Sequence, residues 1–192
     1  MRILDAAAVR EAIGYDLAID ALRRAFREGD PAATPLRSVV ETPAGTLLTM
    51  PAASAEAVGV KLVTLTPANP VAGRPLLHAV YVLFDGRTQA PLAVLDGGAL
   101  TALRTSAVSA LATRYLARPR STRLVVFGAG VQAEAHVAAM RAVLPIEHVT
   151  IVGRDAATAT ALADAVRADG VEATLGDAGT VAHADVVCTC TT

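Results

Sequence analysis

The chain has 192 residues and a net charge of −1, with 17 basic and 18 acidic side chains. This balance excludes the basic surface that a nucleic-acid-binding protein needs. Apolar residues make up 53% of the chain but aromatic residues only 3%, so alanine, valine and leucine have to fill the interior. No apolar stretch approaches the ~20 residues of a membrane-spanning helix, and Asp5, Arg10 and Glu11 interrupt any signal-peptide core. We therefore expect a soluble, cytoplasmic protein.

The first hundred residues predict two short helices and then a sheet. Asp5 is placed to cap the first helix, which ends near Gly14, and an apolar stripe from Tyr15 onward predicts a second helix that stops at Gly29-Asp30-Pro31. Alternating apolar residues predict strands at residues 37–42, 46–50, 58–66, 77–84 and 91–95. Because the connections are short, we expect an N-terminal α+β domain with a mainly antiparallel sheet.

The rest of the chain alternates helix and strand. A long helix is predicted at residues 100–117 and ends before Pro119. Strands at 124–127, 148–152, 171–175 and 185–189 follow, with helices at 132–143 and 156–168. This rhythm predicts a doubly wound parallel sheet. We place the domain boundary near residues 118–122, which gives domains at 1–118 and 119–192.

Cys188 and Cys190 are the only cysteines and occupy alternate positions of the last predicted strand, so both thiols are expected on one face. A metal site would need more ligands nearby than His183. We expect reduced, partly buried thiols and no metal site.

A glycine-rich turn joins the first predicted strand of the second domain to the helix that follows it. The segment from Gly128 to Ala133 has the pattern G-x-G-x-x-A. Gly128 allows a tight turn, Gly130 lets the backbone approach a diphosphate, and Ala133 lets the helix pack close to the sheet. In this strand–turn–helix context the pattern predicts a Rossmann-type dinucleotide-binding domain. Such a domain usually has six strands, so four strands indicate a sheet truncated at its C-terminal end and a chain that is part of a longer protein.

The end of the second strand of this domain indicates which dinucleotide binds. An acidic residue normally follows this strand and binds the ribose hydroxyls, but here the strand is followed by Gly153-Arg154-Asp155. Arg154 is suited to a 2′-phosphate, while Asp155 is placed to cap the next helix. We therefore expect a preference for NADP(H), with NAD(H) possible. The alternative is that Arg154 is a solvated loop residue.

Three cations of the first predicted domain are candidates for binding an anion. Lys61 is the only lysine in the chain and lies within an apolar strand, where an ammonium can orient a carboxylate or act as an acid near an imine. Arg104 and Thr105 lie near the predicted start of the long helix, where a cation opposes the helix dipole unless an anion is close. Arg37 is a weaker candidate on chemistry alone. A solvated surface position is the alternative for Lys61 and for Arg37.

Three blocks resemble the ornithine cyclodeaminase/mu-crystallin family. They are Gly59-Val60-Lys61-Leu62-Val63, the block from Leu95 to Ala107 with its Leu100-Thr101-Ala102-Leu103-Arg104-Thr105 core, and Phe127-Gly128-Ala129-Gly130-Val131-Gln132. They occur in the family's order, and the resemblance covers nearly the whole chain.

The resemblance implies a homodimer that binds NAD(H) or NADP(H). Residues 1–118 would then form the substrate-binding and dimerisation domain, and residues 119–192 the NAD(P)-binding domain. The activities of the family are ornithine cyclodeamination, alanine dehydrogenation and reduction of cyclic ketimines such as pyrroline-2-carboxylate. By position, Arg37, Lys61 and Arg104 resemble the residues that bind the substrate carboxylate. Positions resembling cofactor contacts are Arg104, Thr105, Val131 and Gln132.

Two departures from the family pattern bear on the activity. Ornithine-type members have a glutamate two residues before a Met-Pro pair, where this chain has Leu48 before Met50-Pro51. Losing that acid argues against a diamine substrate. The family's catalytic aspartate follows the fourth Rossmann strand, so we expect it to lie beyond Thr192. Lys61 is then the catalytic candidate within the chain.

Three functions remain open. The first is an NADP(H)-preferring oxidoreductase that acts on an amino acid or a cyclic imine carboxylate. The second is an ornithine cyclodeaminase. The third is a non-catalytic NADP-binding protein.

Overall fold

The computed structural model describes residues 1–29 and 35–191. By packing, these residues form two units: Met1–Gly14 with Ala25–Thr101, and Tyr15–Arg24 with Ala102–Thr192. The predicted helix stop at Asp30-Pro31 lies outside the described residues.

A six-stranded sheet forms the centre of the first unit. Its strands are β1 (Arg2–Leu4), β2 (Ser38–Thr42), β3 (Gly45–Ala53), β4 (Ala57–Leu65), β5 (Leu77–Asp85) and β6 (Pro91–Asp96). The helices α1 (Ala6–Ala12), α2 (Tyr15–Glu28) and α3 (Gly97–Leu116) complete the first half of the chain, and α2 and α3 each contribute residues to both units. The order of the strands is β1-β6-β5-β4-β3-β2.

Strands β2 to β6 pair antiparallel with their neighbours in the chain, which confirms the mainly antiparallel sheet. The prediction missed β1, which pairs parallel with β6 from Arg2 opposite Ala93 to Leu4 opposite Leu95. Three residues are too few for a period-two pattern to be visible, so pairing with β6 alone makes this segment a strand. The sheet is therefore mixed.

Helices cover one face of this sheet. Ala93 and Leu95 of β6 are buried in a cluster with Val9 of α1 and Ala99 of α3. We call the side to which Leu95 points the helix-covered face. Residues directly opposite each other in antiparallel strands point to the same side, so the row from Leu95 through Tyr81, Lys61 and Met50 lies on this face.

The other face carries a group of apolar side chains that are partly solvent-exposed. By the same register it carries Val40, Leu47, Leu62, Val80 and Val94, which we call the open face. Val40 is 50% exposed and Val80 is 44% exposed. An apolar sheet face at this level of exposure is a feature of protein interaction surfaces.

The second unit contains a parallel four-stranded sheet. It consists of β7 (Arg123–Phe127), α4 (Val131–Arg141), β8 (His148–Val152), α5 (Ala156–Ala168), β9 (Glu172–Leu175) and β10 (Val186–Thr189), with strand order β10-β7-β8-β9. Leu124, Val126, Val149 and Ile151 are at most 1% exposed and form the centre of its core. This is the predicted doubly wound topology, and the bounds of β8 and α5 are those expected from the sequence.

Helix α3 begins three residues earlier than predicted. Asp96 accepts a hydrogen bond from the backbone N–H of Ala99 at 2.7 Å and so caps the helix. A Cβ on Gly97 would lie 2.7 Å from the backbone carbon of Ala79, so glycine allows the first turn to approach β5. Arg104 is consequently about two turns from the helix start. Contrary to the sequence-based expectation, Arg104 therefore does not oppose the helix dipole, because that effect fades within the first turn.

The division by packing differs from the predicted boundary near residues 118–122. Ser106, Ala107 and Ala110 of α3 are fully buried residues of the second unit. Tyr15 of α2 donates a hydrogen bond to the carbonyl of Ala135 in α4 at 2.9 Å. Parts of α2 and α3 thus pack with α4. The order of helices and strands along the chain does not indicate this packing. The domain limits 1–118 and 119–192 stay a prediction. Among the described helices, none combines the length and apolar character of a membrane span.

Candidate functional site

A cleft of about 730 Å³ lies at the carboxyl ends of β7 and β8 in the second unit. Its walls come from the glycine turn, from the segment after β8 and from the chain after β10. The lining includes Gly128, Gly130, Gly153, Arg154 and Cys190. Ligands of doubly wound sheets bind at this edge, where neighbouring crossovers leave a crevice.

Gly128 is required by both backbone conformation and packing. Its φ of +107° lies in a region that residues with a side chain rarely adopt. A Cβ at this position would lie 2.6 Å from the carbonyl oxygen of Cys190. The turn can therefore pass close to the end of β10 only with glycine at this point.

Gly130 differs from Gly128 because neither its conformation nor its packing requires glycine. Its φ is −91°, and no atom lies within 4 Å of where its Cβ would be. It directly precedes α4 and caps that helix without a side-chain hydrogen bond. The first N–H groups of α4 and an open space beside the backbone are thus available together, which fits a phosphate group.

Two charged residues follow β8 and have different surroundings. Asp155 caps α5: its Oδ1 accepts the Thr158 hydroxyl and, at 2.8 Å, the Thr158 backbone N–H. These hydrogen bonds lower the pKa of the Asp155 carboxyl. Its predicted capping role is confirmed. Arg154 is exposed and lines the cleft.

Lys61 lies at the centre of β4 on the helix-covered face and is partly buried. Its Nζ donates a hydrogen bond to the Thr101 hydroxyl at 3.2 Å. Met50 of β3 is directly opposite, and Leu48 is on the same face because it lies two residues from Met50 in the strand. Arg37 is exposed and directly precedes β2.

The other candidate residues lie on two helices of the second unit. Arg104 is exposed on α3, and Thr105, next to it, is partly buried. Val131 and Gln132 form the start of α4, directly after Gly130, and Val131 is 68% exposed. The structure therefore gathers Gly128, Gly130 and Arg154 in one cleft, with Val131 and Gln132 adjoining in sequence. Of the three candidate carboxylate-binding cations, two belong to the first unit and Arg104 to the second.

Sequence reasoning missed a buried polar pair that joins α3 to α4. The His136 ring is 8% exposed, and its Nδ1 lies 2.6 Å from the Gln132 carbonyl. Because a carbonyl only accepts, Nδ1 carries the proton, and in the neutral ring Nε2 accepts the Ser109 hydroxyl at 3.0 Å. The four-residue spacing between Gln132 and His136 was visible in the sequence, but the partner on α3 was not.

The two cysteines occupy different environments. Cys188 is buried, and burial, with a smaller contribution from nearby Cys190, raises the pKa of its thiol to about 12. Cys190 follows the end of β10 and lines the cleft, so the prediction that both lie within one strand is wrong for Cys190. Both are free thiols. Within residues 1–29 and 35–191, no group of three or more His, Cys, Asp or Glu side chains could hold a metal ion.

Comparison with known proteins identifies relatives over the whole chain. The model of the ornithine cyclodeaminase/mu-crystallin family matches residues 1–192. A Δ1-pyrroline-2-carboxylate reductase of Bacillus cereus is 40% identical over 124 residues, which cover 64% of this chain and 38% of the relative.

Two solved structures are similar in fold and sequence. Thermococcus litoralis Δ1-pyrroline-2-carboxylate reductase in complex with NADH and L-proline has a TM-score of 0.89 and 32% identity, covering 98% of this chain and 61% of that one. An archaeal alanine dehydrogenase dimer with bound NAD has a TM-score of 0.89 and 31% identity, covering 98% and 60%. This chain thus spans less than two thirds of each relative's length.

Proposed function

The chain belongs to the ornithine cyclodeaminase/mu-crystallin family, and on that basis we propose that it binds a nicotinamide dinucleotide and acts in the reduction of an imino carboxylate. The reverse reaction is the oxidation of the corresponding amino acid. The observation that carries this proposal is Gly130, a glycine that neither conformation nor packing requires, at the open end of α4. An approaching phosphate explains why a side chain would be unfavourable there.

In this proposal the second unit binds the cofactor. The glycine turn from Gly128 to Gly130 and the N-terminus of α4 bind the diphosphate. Arg154, which lines the same cleft on the segment after β8, binds a 2′-phosphate, so NADP(H) is preferred over NAD(H). Thr105, Val131 and Gln132 are further candidate cofactor contacts. When bound, the dinucleotide supplies or accepts a hydride.

The first unit binds the substrate carboxylate through cations on the helix-covered face. Lys61 is the main carboxylate-binding group in this proposal. If β2 continued in extended conformation by one residue, Arg37 would lie opposite Met50 and so in the same row as Lys61. Arg104, which is exposed on α3 in the second unit, is a separate candidate for binding an anion. Lys61 is also the candidate within this chain for donating a proton to the imine nitrogen, because an ammonium near an imine can act as a general acid.

Leu48 favours a cyclic imine over a diamine. It lies on the helix-covered face, two residues from Met50, the residue opposite Lys61. An apolar side chain on the same face as Lys61 suits the methylene groups of a small ring and gives no partner to a distal ammonium. This position therefore supports a ketimine or pyrroline-2-carboxylate reductase over an ornithine cyclodeaminase.

The open face supports assembly as a homodimer. Its apolar side chains, described above, would be buried between two copies of the sheet, as sheets pack face to face in proteins. The archaeal alanine dehydrogenase relative is a dimer.

The proposed function is tested with the purified natural protein. We expect NADPH to be consumed when Δ1-pyrroline-2-carboxylate is added, with proline as the product, and Lys61→Ala to raise KM by about tenfold or more because a charge-assisted hydrogen bond is lost. Absorbance of the reduced nicotinamide follows the reaction. Binding of NADPH without turnover would identify a nucleotide-binding protein, and ammonia release from ornithine a cyclodeaminase; either outcome would overturn the proposal.

A further inference from the structure

Thr101 connects the first turns of α3 to Lys61 within the first unit. The Lys61 ammonium donates to the Thr101 hydroxyl at 3.2 Å, and that hydroxyl donates to the Gly97 carbonyl at 2.6 Å. Because a carbonyl can only accept, the hydroxyl proton points towards Gly97 and a lone pair of its oxygen faces the ammonium. The hydrogen bonds therefore run in one direction, from Lys61 through Thr101 to Gly97, and each strengthens the next.

The far end of this hydrogen-bond chain is held on the sheet. Gly97 is buried and lies so close to β5 that a Cβ would be 2.7 Å from both the backbone carbon and the Cβ of Ala79. The cap from Asp96 to the Ala99 N–H holds the same turn from the other side. Thr101 follows one helical turn later, so its hydroxyl has a defined position relative to β4 and β5.

We propose that Thr101 is a positioning residue that holds the Lys61 ammonium in the orientation needed to bind the substrate. A lysine side chain has four rotatable methylene groups and loses considerable rotamer entropy when it is held in one place. Thr101 accepts one N–H of the ammonium through a neutral hydroxyl, so this hydrogen bond orients the ammonium and adds no negative charge beside it. The choice of substrate in this proposal rests on the function proposed above. The geometry of Lys61 does not depend on that function.

Three variants of Thr101 in the natural protein test the proposal. Thr101→Val keeps the shape and removes the hydroxyl, Thr101→Ala removes the hydroxyl without β-branching, and Thr101→Ser keeps the hydroxyl. We expect the KM for Δ1-pyrroline-2-carboxylate to rise about tenfold in the Val and Ala variants, with a smaller change in kcat and in the KM for NADPH. Thr101→Ser should stay within about threefold of the wild type. Thr113→Val, the same change further along α3, is the matched control.

A second measurement does not depend on the substrate. Acylation of Lys61 in the free protein, followed by mass spectrometry of the peptide that contains it, reports how accessible the amine is. We expect the acylation rate to rise about tenfold in the Val and Ala variants and to return towards the wild-type value in the Ser variant. If the wild type reduces no imine but this rate pattern appears, the positioning role stands and the proposed function fails.

The positioning role is overturned by either of two results. One is an unchanged Lys61 acylation rate in both variants that lack the hydroxyl. The other is a Ser variant that behaves like the Val variant in acylation, which would show that packing rather than the hydroxyl matters. Should Thr101→Val fail to fold, as judged by circular dichroism, the Ala and Ser variants decide between these outcomes.

Discussion

Arg154 and Asp155 are neighbours in the chain but have different surroundings. The Asp155 carboxylate is turned towards Thr158 and caps its own helix, which leaves the adjacent cleft wall without the acid that a ribose diol would favour. The Arg154 side chain is exposed beside the cleft instead. A guanidinium can form two parallel hydrogen bonds to a phosphate and carries a permanent charge, so it distinguishes a 2′-phosphate from a hydroxyl.

Arg154→Ala should therefore weaken NADPH binding by about tenfold or more and change NADH binding by less than about threefold, because only NADPH has the phosphate that the guanidinium would bind. Titration of each dinucleotide by fluorescence measures both affinities. Arg120→Ala, which removes an exposed arginine outside the lining of the cleft, is the control. Equal losses for the two dinucleotides would remove Arg154 from the 2′-phosphate site.

At the scale of helices, a partly buried polar pair connects α3 to α4. The Ser109 hydroxyl and the His136 ring hydrogen-bond at 3.0 Å, and the other ring nitrogen binds the Gln132 carbonyl in the first turn of α4. Gln132 directly follows Val131 at the helix start beside the glycine turn. The pair thus links α3 to the turn that forms one wall of the cleft.

Ser109→Ala should destabilise the protein by ~1–3 kcal/mol, because it leaves the buried Nε2 of His136 without its partner. The double variant Ser109→Ala/His136→Leu should lose less stability than the sum of the two single variants, since removing both polar groups leaves neither unsatisfied. Urea unfolding monitored by circular dichroism gives the three free energies of unfolding. Additive losses would mean that the two side chains are not energetically coupled.

For the whole molecule, the open face of the six-stranded sheet is the surface through which we expect two copies to assemble. Val80→Asp introduces a charge at a position that is 44% exposed in the single chain, so the monomer can solvate the carboxylate while a face-to-face dimer cannot. We expect this variant to be monomeric at concentrations at which the wild type is a dimer. Light scattering coupled to size-exclusion chromatography measures the mass.

The control is Val71→Asp, which changes a residue that is 95% exposed and lies in the short 3-10 turn Pro70–Ala72 outside the sheet. It should leave the dimer intact. A monomeric wild type, or a dimer that survives Val80→Asp, would contradict assembly through the open face.

Local patterns in the chain were sufficient for most of its elements and for the position of the cleft at the glycine turn. The bounds of β8 and α5 follow from their periodicity and from the cap at Asp155, because hydrogen bonds and side-chain alternation within a short segment decide them. The glycine turn was recognisable for the same reason: Gly128 is needed by the backbone at its own position. Family membership likewise followed from three short blocks.

Contacts between distant parts of the chain decided the rest. β1 is a strand only because β6 lies beside it, and α3 begins at Gly97 rather than three residues later because the missing Cβ lets the helix approach β5. Lys61 meets Thr101 across 40 residues, and His136 meets Ser109 across 27. No periodicity in the sequence indicates such pairs, since each depends on how a helix packs after the strands have paired. The sequence by itself thus determined the elements, the family and the residue types of the site, whereas only the tertiary structure decided which side chains hold one another in place.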